Sequence, residues 1–146
     1  YLGGTSNEDG YGVAVDPNLD VYLTGRTFSG DFPTQNPIDN TLTGVWDAYI
    51  TKLSSSGNSL LYSTYFGGGV STIGNGIAVD PLGQAVVTGD SASSDLVQVN
   101  PLPGQNPVGW NAWVARLNGN GNGFLFSTKF GGGGADNFWG YNDVTM

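Results

Sequence analysis

Two groups of acidic and amide residues are the first candidates for chemistry in this sequence. One is Asn7-Glu8-Asp9 and the other is the turn Asp16-Pro17-Asn18-Leu19-Asp20. Calcium in proteins takes about six to eight oxygen ligands, and carboxylate and amide side chains supply them. The candidate calcium ligands are therefore Glu8, Asp9, Asp16, Asn18 and Asp20.

The same turn has an explanation that needs no metal. It has an Asp-x-Asn-x-Asp spacing but lacks the glycine and the distal glutamate of an EF-hand loop. A second version of the turn begins at Asp80 and carries Gln84 where the first carries Asp20. Aspartate in such turns accepts hydrogen bonds from nearby backbone N–H groups. The sequence favours this capping role for Asp16 and Asp80 over calcium binding.

The four tryptophans are the second set of candidates, because indole rings can stack on sugars. Trp46 and Trp110 recur at one position of a repeat, which favours packing between repeats, since tryptophan buries a large area. Trp113 and Trp139 are less constrained by the repeat. We therefore expect Trp113 and Trp139 to be the aromatics with an exposed, ligand-binding or interface role.

Groups that catalyse reactions are scarce in this chain. There is no cysteine and no histidine, which removes thiolate nucleophiles and imidazole bases. Glu8 is the only glutamate, and nothing in the sequence marks a partner for it. The glycine runs at 67–69 and 131–134 lack the Lys-Ser/Thr of a phosphate-binding loop. No catalytic or cofactor-binding residue is assigned, and the chain is not predicted to be an enzyme.

Charge narrows the choice of partners. The chain carries 12 acidic and 4 basic residues, a formal net charge of −8. Nucleic acid and anionic lipid surfaces would repel such a chain. No stretch approaches the roughly 20 apolar residues of a membrane-spanning helix. Cations, neutral glycans and other proteins remain as partners, and the lack of cysteine with little lysine suits a secreted or surface protein.

The elements that must position these residues come from an internal repeat. Tyr1-Leu2-Gly3-Gly4 returns 64 residues later as Tyr65-Phe66-Gly67-Gly68, and the same offset holds without a gap for the rest of the unit. The sequence thus divides into a first repeat at 1–64, a second at 65–128 and the start of a third at 129–146. Tandem repeats of this kind stack on one another to bury a shared core.

Each repeat is predicted to form four short antiparallel strands. In the first repeat they cover Tyr11–Asp16, Val21–Thr27, Trp46–Leu53 and Leu60–Phe66, with a long connection at Phe28–Val45. Four antiparallel strands in a unit longer than 40 residues are typical of a β-propeller blade. The predicted fold is therefore all-β, with tandem four-stranded blades of a β-propeller. Because eight strands also suit a β-sandwich, that fold is the alternative.

Several blocks of the repeat resemble a known family. Gly12-Val13-Ala14-Val15-Asp16, Val21–Gly25, Asp31-Phe32-Pro33 and Asp47–Leu53 occur in the order found in the bacterial SBBP-type β-propeller repeat. The segment Leu61–Gly68 is similar to the start of that repeat. The resemblance implies a secreted or cell-surface bacterial protein and brings no catalytic residues with it.

The number of repeats indicates that this chain needs further blades as partners. A propeller closes with about four to eight blades, so two blades and the start of a third need further blades. These come either from a longer chain or from other copies of this one. We expect a structural or protein-interaction module whose partners are other blades, copies of itself, other proteins or glycans. The alternatives are a lectin-like carbohydrate-binding propeller and, third, a fragment of a propeller enzyme.

Overall fold

The computed structural model describes residues 1–105 and 108–132, and the described residues form strands and loops without a helix. The first four strands are β1 (Glu8–Val15), β2 (Val21–Thr27), β3 (Asp47–Leu53) and β4 (Leu60–Phe66). The next four are β5 (Thr72–Val79), β6 (Ala85–Ser91), β7 (Asn111–Leu117) and β8 (Phe124–Phe130). The predicted bounds of β2 and β4 are confirmed, and β3 begins one residue later than predicted.

The strands form two antiparallel sheets of four. One has the order β1-β2-β3-β4 and the other β5-β6-β7-β8, so each sheet is a simple meander of consecutive strands. The Greek-key connections of most β-sandwiches would move strands between sheets. The meander is instead the arrangement of a propeller blade, and the predicted all-β architecture of tandem four-stranded blades is confirmed.

Residues 64 apart hold the same place in the two sheets. Ala14 pairs with Tyr22 in the first sheet, as Ala78 pairs with Val86 in the second. Each sheet also has a bulge at the same point of its first strand, between Gly10 and Gly12 and between Gly74 and Gly76. Strand β1 starts at Glu8, earlier than predicted, because the residues before the bulge continue the pairing with β2.

The long connection in each repeat covers one edge of its sheet. Gln35 and Ser63 exchange two backbone hydrogen bonds of 3.0 and 2.8 Å, and Val99 and Ser127 do the same at 2.9 and 2.8 Å. The outer edges of β4 and β8 are thereby paired within the chain. Covered edges are less available for uncontrolled pairing with other strands.

The main core lies between the two sheets. Residues from both contribute to one buried cluster, which includes Tyr22, Ile50 and Phe66 from the first sheet and Val87 and Trp113 from the second. Backbone hydrogen bonds also join the repeats, since Val45 N–H donates to the Val70 carbonyl at 2.7 Å. The first blade therefore supplies one wall of the core and the second blade the other.

Among the residues that the structure describes, no helix is long and apolar enough to cross a membrane. Residues 133–146, which include Trp139 and most of the third repeat, lie outside the described residues. The offset that divides the repeats after Thr64 falls within β4, so each sheet extends slightly past its repeat.

Candidate functional site

Trp113 lies at the centre of the contact between the two blades. It is only 1% exposed, and its ring packs on Phe66 with the ring centroids 4.6 Å apart. Its Nε1–H donates to the Ile73 carbonyl at 3.1 Å. The prediction of an exposed, ligand-binding role for Trp113 is therefore wrong, because β7 turns this residue towards the first sheet. Trp113 is instead an interface residue within the chain.

The other tryptophan pair also differs from expectation. Trp46 and Trp110 are only partly buried, although their recurrence predicted packing between the repeats. Trp46 precedes β3 and lies 5.1 Å from the Phe28 ring, with the Arg26 guanidinium 5.3 Å from the centre of each ring. Trp46 therefore belongs to a local aromatic and cationic cluster near the end of β2. Burial was better indicated by another position of the repeat, which Tyr49 and Trp113 share 64 residues apart and at which both aromatic rings are buried.

Glycines let the backbones of the two blades approach closely. A Cβ atom added to Gly12 would lie 3.1 Å from the Ile77 nitrogen and 3.2 Å from the Gly76 Cα. The space that a side chain at Gly74 would need is filled by the Thr24 side chain. These positions keep glycine because another backbone or side chain stands against them. The strand β5 therefore lies directly on the first sheet.

Each blade has a second face that no described residue of the other blade covers. We call the face of the first sheet turned away from the second sheet the upstream face, and it includes Val13, Val15, Leu23, Tyr49 and Leu60. We call the face of the second sheet turned away from the first the downstream face. It includes Val86, Val114, Phe126 and Phe130. Successive side chains of a strand point to opposite faces of the sheet. Because the sequence neighbours of these residues lie in the shared core, the residues themselves lie on the opposite faces.

The upstream and downstream faces repeat residues of the buried contact. Val13 on the upstream face is 65% exposed, whereas Ile77, 64 residues later, is 4% exposed in the core. Phe130 on the downstream face is 38% exposed, whereas Phe66 is 2% exposed. The upstream face thus matches the surface by which the second blade contacts the first. The downstream face matches the surface by which the first blade contacts the second.

The two acidic groups lie at opposite ends of β1. Glu8 and Asp9 begin the strand, and Asp16 and Asp20 flank the turn that follows it. Among the residues described, no three or more carboxylate, histidine or cysteine groups are placed to hold a metal ion. The structure therefore does not bring the five candidate calcium ligands together at one point.

The carboxylates of these groups bond to donors within the protein. Asp9 forms an ion pair of 2.7 Å with Arg26. Glu8 accepts hydrogen bonds from the hydroxyls of Thr27 and Ser29. An ion pair and hydrogen bonds within the protein thus engage both carboxylates at the start of β1.

The turn-capping role of the aspartates is confirmed. Asp16 Oδ1 accepts the backbone N–H groups of Asn18 at 2.9 Å and Asp20 at 3.0 Å. Asp80 accepts two backbone N–H groups of its own turn at 2.9 Å each. Each aspartate also pairs with a base on the third strand of its sheet, Asp16 with Lys52 and Asp80 with Arg116.

Protonation equilibria at the turn follow from these contacts. Burial would raise the pKa of Asp16, but the Asp20 N–H, Lys52 and Tyr22 donate to its carboxylate and lower that pKa overall. Burial would lower the pKa of Lys52, but the hydrogen bonds that its ammonium makes to Tyr22, Asp20 and Asp16 raise that pKa overall. The Lys52 ammonium lies 3.2 Å from Asp16 and 3.0 Å from Asp20. Lys52 is therefore charged and neutralised within the protein.

A cleft of about 670 Å³ opens beside Lys52, where the first blade meets the β7–β8 turn of the second. Asn36 and Lys52 line it from the first blade, and Asn120 and Asn122 line it from the turn. The amides offer hydrogen-bond donors and acceptors without charge. The cleft exists only where two blades meet, because each blade supplies one wall.

Comparison with known proteins agrees with this geometry. A model of the SBBP family, described as a beta-propeller repeat, matches residues 1–33 and 61–96. The second segment begins in β4 and runs through β5 and β6, so the family unit spans the contact between blades. A search of curated proteins finds no match to the chain. The sheets, their repeated register and the two matched segments together confirm the predicted similarity of this chain to the SBBP-type β-propeller repeat family.

Proposed function

We propose that the chain is a structural and protein-interaction module that binds further blades through its two open faces. The observation that carries this proposal is the contrast between equivalent residues. Val13 is 65% exposed where Ile77 is 4% exposed, and Phe130 is 38% exposed where Phe66 is 2% exposed. The sequence pattern that buries one member of each pair leaves the other facing solvent.

Energetics supports the proposal. Burying apolar surface is worth roughly 25 cal/mol per Å², so covering the exposed Val13, Val15 and Phe130 side chains with further blades would add stability. Val13 and Val15 are exposed on the same face of β1, and exposed apolar patches mark protein interaction sites in soluble proteins. We further propose that the parent protein is bacterial and is secreted or displayed at the cell surface. The family resemblance and the cysteine-free, lysine-poor composition support that location.

Sedimentation of the chain over a range of concentrations tests the proposal. We expect self-association, or low stability at concentrations too dilute for association. Val13→Ser and Phe130→Ser should each weaken association. Leu82→Ser is the matched control, since Leu82 is 75% exposed in a turn and lies on neither face. A compact monomer that is stable at every concentration would contradict the proposal.

Carbohydrate binding is the second candidate, and the cleft beside Lys52 favours it. Asn36, Asn120 and Asn122 offer amide groups to sugar hydroxyls, and Lys52 adds no free charge because two carboxylates neutralise it. A neutral saccharide suits such a lining better than an anion. We expect no role for Trp113 in stacking on a sugar, since it is buried.

The repeat provides a matched control for this candidate. Asn36 and Asn100 have φ angles of 47° and 48°, and their side chains donate to the carbonyls of Leu61 and Leu125. Asn36 lines the cleft opposite a turn of the second blade, and Asn100 does not line this cleft. Screening on a glycan array should therefore show binding that Asn36→Ala removes and Asn100→Ala keeps. Equal loss in both variants, or no binding by the parent chain, would reject the candidate.

A further inference from the structure

We infer that calcium binds at the joint between the two blades, on the Asp47 carboxylate and the backbone carbonyls of Gly68 and Val70. Asp47 begins β3, and Gly68 and Val70 lie in the link between β4 and β5. The site is separate from the acidic groups at the ends of β1 and from the cleft beside Lys52. It goes beyond the proposed function and does not depend on it.

The Asp47 carboxylate has one engaged oxygen and one buried oxygen without a partner. The residue is 0% exposed. Its Oδ2 accepts the Thr43 N–H at 2.8 Å and the Thr43 hydroxyl at 3.2 Å. Its Oδ1 has no hydrogen-bond partner among the described residues. Because a buried charge without a partner is strongly destabilising, this oxygen calls for a positively charged ligand.

The described part of the chain does not supply that positive charge. No lysine or arginine in it forms an ion pair with Asp47 or with the neighbouring Asp39. Burial raises the pKa of Asp47, and the negative charge of Asp39 adds to the rise. The field at this carboxylate therefore attracts a cation from solution.

Two backbone carbonyl oxygens converge with Asp47 Oδ1 beside Gly44. From the place where a Cβ on Gly44 would stand, the Val70 oxygen is 2.5 Å away, Asp47 Oδ1 is 2.8 Å away and the Gly68 oxygen is 3.0 Å away. Glycine leaves this place open, whereas the Cβ of any other residue would fill it. Calcium contacts carboxylate and backbone carbonyl oxygens at about 2.3–2.6 Å, so these three oxygens are close enough together to share one ion.

The ion can reach this place and keep some of its water. Gly44 is half-buried, and Val45 and Val70 beside it are 63% and 48% exposed. The Val70 carbonyl accepts the Val45 N–H at 2.7 Å, which leaves its second lone pair for an ion. Water would complete the coordination shell. Because one carboxylate supplies the only charged ligand, we expect a dissociation constant of about 10⁻⁴–10⁻³ M.

The second blade carries its own cation at the equivalent place. Asn111 and Lys129 are the equivalents of Asp47 and Tyr65. Asn111 Nδ2 donates to the Gly109 carbonyl at 3.2 Å, and the buried Lys129 ammonium donates to the same carbonyl at 2.9 Å. The second blade thus combines a neutral amide with an ammonium group, whereas the first combines a carboxylate with a phenol. The ammonium would repel calcium, so the site belongs to the first blade alone.

Calcium bound here would strengthen the joint between the blades. It would tie the start of β3 to the link that leads into β5, next to the backbone hydrogen bond from Val45 to Val70. A ligand that binds only the folded state raises its apparent stability by mass action. The site therefore predicts that calcium stabilises this chain against unfolding.

Titration calorimetry with calcium chloride tests the site on the full chain after treatment with EDTA. We expect one ion to bind per chain in a buffer that contains sodium chloride. Asp47→Asn should weaken binding by roughly tenfold or more, because it removes the charged ligand. This variant should fold, since asparagine occupies the equivalent position in the second blade.

Asp20→Asn is the matched control, because it removes one carboxylate from the β1–β2 turn instead. It should bind calcium as tightly as the parent chain does. Loss of binding in Asp20→Asn but not in Asp47→Asn would place the ion at the turn and overturn the inference. A parent chain that binds no calcium, or binding that Asp47→Asn keeps in full, would overturn it as well.

Thermal unfolding provides a second, independent readout. In EDTA at neutral pH, Asp47→Asn should be more stable than the parent chain, because it removes the buried charge. Added calcium should raise the midpoint of the parent and leave that of Asp47→Asn unchanged. Magnesium should raise the parent's midpoint less, since it requires nearly ideal octahedral geometry at about 2.0–2.1 Å. An equal rise with magnesium, or with sodium chloride at the same ionic strength, would reject calcium as the ligand.

Discussion

Asp47 and Asn111 show how one position of the repeat can carry different chemistry. Both are fully buried at the start of the third strand of their sheet. Asp47 Oδ2 accepts the Thr43 N–H at 2.8 Å, while Asp47 Oδ1 has no partner. Asn111 Nδ2 donates to the Val108 carbonyl at 2.8 Å. The first blade therefore buries a carboxyl group where the second buries a neutral amide.

The substitution Asp47→Asn should stabilise the protein at neutral pH. Burial raises the pKa of Asp47 above its usual value of 3.8, although hydrogen bonds from Thr43 and Gly44 oppose the shift. Protonation thus favours the folded state. The contribution of Asp47 to stability is full below pH 3.8 and is lost as the pH rises through the folded-state pKa.

Urea unfolding at several pH values measures this effect. The parent chain should lose stability relative to Asp47→Asn on going from acid to neutral pH, and the two should converge in acid. The reverse substitution, Asn111→Asp, should destabilise the protein at neutral pH and less so in acid. A gap between the parent chain and Asp47→Asn that is independent of pH would contradict the explanation.

At the scale of elements, the β1–β2 and β5–β6 turns share their hydrogen bonds but differ in backbone strain. Each is capped by its aspartate, Asp16 or Asp80, through two backbone N–H groups. The residue in the left-handed region is Leu19 in the first turn, with a φ of 65°, and Gly83 in the second, with a φ of 75°. A left-handed backbone costs a non-glycine residue about 1–2 kcal/mol.

The variant Leu19→Gly should therefore stabilise the first blade by roughly 0.5–1 kcal/mol, after the entropy that glycine loses on folding is deducted. Leu19 is exposed, so its removal forfeits little packing. Thermal unfolding measures the change. Gly83→Leu is the opposing variant and should destabilise, because it adds strain where the Tyr22 hydroxyl stands 3.3 Å from a new Cβ. Destabilisation by Leu19→Gly would show that the strain is offset elsewhere.

At the scale of the whole molecule, stability and association should be linked. Partners that bind only the folded state raise its apparent stability by mass action. If copies cover one another's open faces, the thermal midpoint should rise with protein concentration. Phe130→Ser, which should weaken association, should unfold at a midpoint that depends less on concentration. A parent chain with a constant midpoint would contradict the link.

The sequence by itself determined the number of strands in each unit and located most of them. Period-2 alternation, turn residues and the offset of 64 residues located β2 and β4 at their observed bounds and predicted four strands in each unit. These features are local, since the backbone conformation of a turn or strand depends on nearby residues. For the same reason, the capping roles of Asp16 and Asp80 were predictable.

Tertiary structure decided which residues are buried and which are open. Val13 and Ile77 have the same pattern around them, yet only Ile77 has another sheet against it. Trp113 is buried because its ring packs on Phe66 of the first sheet, whereas Trp46 is partly buried beside Phe28 and Arg26 of its own blade. The repeat made the two blades alike, and their stacking, which among the described residues covers one face of each sheet with the other sheet, made them different.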